Sequence, residues 1–79
     1  MPRYFFSVHD GKDVEDEEGT VLPNDAKARE QAITTAAEII RSEAATLPGN
    51  EPWEMVVADE TGRRMLTLRF SAEDHPAVV

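Results

Sequence analysis

The sequence predicts an α+β domain of two layers, with one amphipathic helix packed on a mainly antiparallel sheet of three or four strands. Three observations carry this expectation. "RYFFSVHD" alternates apolar and polar residues with a period of two, the spacing of a half-buried strand. Residues from Asp25 to about Leu47 repeat their apolar positions every three or four residues, the spacing of a helix with one buried face. "WEMVVADETGRRMLTLRF" contains two further alternating runs separated by a polar turn, the pattern of a β-hairpin.

The first strand places Tyr4, Phe6 and Val8 on its core face and Arg3, Phe5, Ser7 and His9 on the other. "DGK" at 10 to 12 is a turn, because Asp-Gly reaches positive φ at little cost. A short edge strand is expected at Thr20 to Leu22, ended by Pro23. Asn24 is the expected N-cap, with Asp25 placed at the positive end of the helix dipole. The buried helix stripe is read as Ala32, Ile33, Ala36, Ile40, Ala44 and Leu47, small enough in places to lie close to a sheet. "LPGNEP" stops it. In the hairpin, Trp53, Met55 and Val57 alternate, Gly62 is free to go left-handed in "DETG", and Leu66, Leu68 and Phe70 alternate afterwards. Residues 1–71 form a single domain on this reading, and 72–79, which lack periodicity, form a disordered tail.

Charge narrows the function. Sixteen acidic against eight basic residues leave a net charge of −8, a surface that repels a phosphate backbone. Nucleic acid is therefore not expected as a partner, unless Arg3, Arg63, Arg64 and Arg69 gather at one end of the sheet. Cysteine is absent, which removes disulfides and thiolate metal clusters. No signal-peptide core and no run of about 20 apolar residues is found, so a cytoplasmic protein away from membranes is expected.

"DVEDEEGTVLP" at 13 to 23 opens with five carboxylates in six positions. A calcium loop is the first chemistry to test against it. With Gly19 as the loop glycine, Val14 falls where an acid is required, Asp25 replaces the closing Glu, and Pro23 interrupts the segment. The match fails, and no metal or other cofactor is expected. Acid–base catalysis needs carboxylates whose pKa values are pushed apart by burial, and this polar segment offers no apolar pocket. His9 and His75 sit beside Asp10 and Asp74 but read as solvent-facing rings. No nucleophile elbow, phosphate loop or dinucleotide fingerprint is present, so neither an enzyme nor a small-molecule substrate is expected.

Taken together, "PRYFF" at 2 to 6, Asp10-Gly11, "DEEGTVLP" at 16 to 23, an Ala-rich helix and "DETGRRMLTLRFS" at 59 to 71 resemble a family of small alphaproteobacterial proteins, domain of unknown function 6894. The resemblance covers residues 2 to 71 in motif order and implies no activity and no catalytic residues. It includes Asp16 to Gly19, Leu22 and Pro23 but not Asp13 or Glu15. A structural role for "DEEG" follows: a carboxylate accepting backbone N–H groups, Gly19 at positive φ, and Leu22 pinning the segment to the core. The chain is also similar, at the level of fold, to antitoxins of the HicB type, which implies a small basic protein as an alternative partner.

Function is thus expected to be binding, to another protein or to a second copy of the chain. One helix covers one sheet face, leaving Phe5, Val56 and Met65 (or Thr67) on the other as an apolar contact surface. An open sheet edge is a second candidate. Asp13, Glu15 and Glu17 would steer a basic partner through their field, so reversing them to Lys is expected to slow association without unfolding the chain.

Overall fold

The computed structural model describes residues 1–77. Strand β1 (Arg3–His9) is followed by two short strands, β2 (Asp13–Val14) and β3 (Thr20–Val21). Helix α1 (Asp25–Ser42) and the hairpin β4 (Trp53–Asp59) and β5 (Arg64–Phe70) complete the chain. The architecture is α+β, with one helix on an antiparallel sheet ordered β2-β1-β4-β5, and β3 also pairs β1.

The sheet has five strands, not three or four. The additional one is β2, where the acidic segment folds back along the edge of β1. There Val8 faces Val14 and His9 faces Asp13; β3 pairs the other end of the same edge, Arg3 with Val21 and Tyr4 with Thr20.

Helix α1 starts where the cap chemistry places it, with Asn24 Oδ1 accepting from Lys27 N–H at 2.9 Å. It ends at Ser42, about five residues before the expected stop. Glu43 to Leu47 forms turns instead, with Thr46 N–H and Leu47 N–H both donating to the Glu43 carbonyl. Pro48 keeps Leu47 out of the helix, since the residue before a proline is driven out of the helical region. The buried stripe is Ala28, Ala32 and Ala36, with Ile39 and Ile40 half-buried. Ile33, expected in that stripe, is 47% exposed, and Ala44 lies outside the helix and is exposed. Alanines let the helix backbone approach the sheet, where Tyr4, Trp53, Met55 and Val57 fill the space beneath and are each at most 1% exposed. Leu22 and Leu47 pack against this core from the two ends of the helix. Residues 71–77 form no helix or strand, and residues 78 and 79 of the expected tail lie outside the described residues.

Candidate functional site

The two sheet edges are built differently, and the acidic segment makes the difference. On the β1 side, β2 and β3 cover the ends of the strand and leave Phe6 between them. Asp16 fills the gap. Its Oδ2 accepts from Phe6 N–H at 3.0 Å, and its Oδ1 accepts from Gly19 N–H at 3.0 Å and Glu18 N–H at 3.3 Å. Partial burial pushes the Asp16 pKa up, but donation by Phe6, Gly19 and Glu18 outweighs it and holds the carboxyl below its ordinary value.

Gly19 has φ +70°, and its missing side chain is a fit as well as a freedom. A Cβ there would lie 2.8 Å from the Tyr4 carbonyl oxygen and 2.9 Å from Arg3 Cγ and Phe5 Cε1. Arg3 Nη1 closes the segment from outside by donating to the Glu18 carbonyl at 2.8 Å. The DEEG expectation, of a carboxylate gathering backbone N–H groups beside a left-handed glycine, describes what Asp16 and Gly19 do. Leu22 packs on the core as that reading required.

The remaining acids of the segment are exposed. Asp13 Oδ1 lies 2.7 Å from His9 Nδ1, Glu15 accepts weakly from Ser7 Oγ at 3.4 Å, and Glu17 is exposed. Among the described residues no three His, Asp or Glu side chains gather as a metal-ligand set. Two open surface grooves have volumes of about 140 and 130 Å³.

A second constellation ties the helix to the hairpin. The buried Tyr4 hydroxyl donates to Asp25 Oδ1 at 2.7 Å, and Arg63 Nη2 donates to Asp25 Oδ2 at 2.9 Å. Arg63 Nε also reaches Asp59 Oδ2 at 3.0 Å, while Asp59 Oδ1 accepts from Thr61 and Arg63 N–H across the turn. Burial, followed by the bond to Asp25, raises the Tyr4 pKa to about 12. Donation by Tyr4 and then Arg63 lowers that of Asp25, and donation by Thr61 and then Arg63 lowers that of Asp59 to about 2. Arg63 is consequently occupied by two carboxylates, and Arg69 pairs with Glu54 at 2.8 Å at the other end of the sheet. The four arginines do not form one basic patch.

The open sheet face is less apolar than expected. Phe5 and Val56 share it but are both half-buried, and Gly19 lies against the Phe5 ring. Met65 is a correction. It packs against the core cluster, because the register shift opposite Val57 and Ala58 breaks the alternation that would have sent it outward. Thr67 takes the outer position, opposite Val56.

The β5 edge remains. Backbone groups of an antiparallel strand point alternately to its two neighbours. Phe6 N–H points away from β4, to Asp16, so Phe5, Ser7 and His9 bond to β4 and Trp53, Met55 and Val57 bond to β5. The bond from Asp59 N–H to the Arg63 carbonyl has the same phase. On β5 it follows that Leu66, Leu68 and Phe70 bond inward while Thr67 and Arg69 turn N–H and C=O outward. Among the described residues no strand pairs with that side of β5. The sequence marked Thr67 for a sheet face and Arg69 for a basic patch but neither for an edge, because alternation reveals side-chain faces but not which strand ends the sheet.

Neither a curated protein nor a solved structure matches the chain. Its ordered motifs do match a family over residues 3–71, the whole of the sheet and helix described above. The chain belongs to the family described as Domain of unknown function (DUF6894).

Proposed function

We propose that this protein is a non-enzymatic protein-interaction module that takes a strand of its partner along β5. The observation that carries the reading is the asymmetry of the edges. Natural sheets protect their free edges, and this one does so on β1 with a strand pair and a carboxylate, while among the described residues no strand pairs the outward backbone groups of Thr67 and Arg69 on β5. Strand addition supplies affinity through the main chain and specificity through alternate side chains. Beside the edge, Leu66, Leu68 and Phe70 stay half-buried on the helix side, which gives an added strand apolar surface to cover.

The test compares two baits, the wild-type protein and Thr67→Pro. The substitution removes an outward N–H and leaves the ladder to β4 intact, a placement in which an edge strand tolerates proline. A partner retained by wild type is expected to be lost by Thr67→Pro, with the amides of Thr67 and Arg69 becoming protected from hydrogen exchange in its presence. A partner held equally by both baits would refute strand addition.

A further inference from the structure

We infer that the strand received along β5 is the β5 of a second copy, forming a two-fold dimer with one continuous sheet. This rests on the edge reading above and adds the identity of the occupant. Three observations lead to it.

The first is the helix flank that overlooks the edge. The β3–α1–β4 connection joins parallel strands with β1 between them, and such crossovers are right-handed. At about 100° per residue, Ile33 and Ile40 then lie round the helix from Ala32 on its β5 side. The groove lined by Leu22, Pro23, Lys27, Gln31 and Thr34 marks the opposite flank, toward β1. Ile33 is 47% exposed and Ile40 half-buried, so apolar surface continues from Leu66 and Leu68 up onto the helix. A strand alone would cover only the lower part. A second copy brings its own helix to the same side and covers the upper part with the same flank, as a two-fold interface requires.

The second is register. Antiparallel self-pairing that joins the outward groups of Thr67 to those of Arg69 puts Leu68 opposite Leu68 on the axis and Leu66 opposite Phe70. Apolar residues meet on the helix side, Thr67 meets Arg69 on the other, and no arginine opposes an arginine.

The third is charge. At −8 per chain, two copies repel unless their acids stay apart. The acidic segment borders β1, at the far side of the sheet from β5. Joined through β5, the order becomes β2-β1-β4-β5-β5-β4-β1-β2, which separates the two segments by seven strand spacings. At about 4.8 Å each this is roughly 34 Å. That is about four Debye lengths at physiological salt. Of the two edges, β5 is the one whose self-pairing keeps the two acidic segments apart.

The experiment is sedimentation equilibrium on the wild-type chain, Thr67→Pro and Ile33→Gln, with Trp53 fluorescence as the check that each variant is folded. A wild-type dimer is expected, weakened by about 100-fold in Thr67→Pro as the central pairing is lost and by about tenfold in Ile33→Gln as half an apolar side chain is withdrawn. Protection of the Thr67 and Arg69 amides in the wild-type protein should rise with concentration, a readout independent of the variants. A wild-type chain that stays monomeric at every concentration overturns the second copy and leaves strand addition to another partner standing. A dimer that Thr67→Pro leaves intact, with those amides unprotected, overturns both.

Discussion

The two edges of this sheet face the same physical problem and meet it in opposite ways. On β1, unpaired backbone groups are covered by β2, by β3, and between them by the Asp16 carboxylate. On β5, a strand of the same length, no described strand pairs with the outward backbone groups of Thr67 and Arg69. Of the five carboxylates in residues 13–18, Asp16 is tied into the backbone of the closed edge and the other four are exposed.

The largest way to break the contrast is at Gly19. Alanine there must take φ +70° and place Cβ 2.8 Å from the Tyr4 carbonyl, so strain and overpacking add to about 3 kcal/mol. Gly62 shares a positive φ of 88° but has open space around it. Gly62→Ala should therefore cost only about 1 kcal/mol. Chemical denaturation followed by Trp53 fluorescence compares the two, and equal losses would mean that close packing at Gly19 contributes nothing.

Next comes Asp16→Asn, which removes the charge while keeping one acceptor oxygen for three donors. A loss of about 2 kcal/mol is expected. Hydrogen exchange at Phe6 N–H should accelerate, whereas exchange at Thr67 should not change. If Phe6 keeps its protection, the carboxylate is not what closes the β1 edge.

Acid sharpens the comparison further, with a smaller effect. The folded pKa values of Asp16, Asp25 and Asp59 lie below the unfolded value of about 3.9. Below that value the unfolded chain binds protons that the folded one refuses. Their contribution is therefore complete above about pH 4 and is lost as pH falls toward about 2, the value reached by Asp59. Thermal melts across that window should show falling stability in the wild type. Asp16→Asn should retain part of the slope, since Asp25 and Asp59 guard the hairpin end independently. A slope abolished by that one substitution would show that the hairpin network adds no acid sensitivity.

Much of the fold was legible in the chain because it is written in local rules. Period two in Tyr4, Phe6 and Val8, the Asn24 cap and the turn glycines Gly11 and Gly62 act within a few residues of themselves. Errors arose where distant groups decide. Ile33 has helical spacing with Ala36 and Ile40, yet the helix rotates to seat its alanines, since only small side chains allow so close an approach to Trp53 and Met55. Met65 keeps strand alternation in sequence and loses it to a register shift across the hairpin.

For the candidate site the division is sharper. The sequence by itself determined that the chain is acidic, that its helix and hairpin form, and that DEEG makes a turn with Gly19 at positive φ, because charge, periodicity and turn chemistry are properties of neighbours. Only the tertiary structure decided that this turn closes one edge, that Arg63 is occupied by Asp25 and Asp59, and that β5 ends the sheet. Strand order depends on which surfaces bury one another across the whole molecule, and no short stretch of sequence records it.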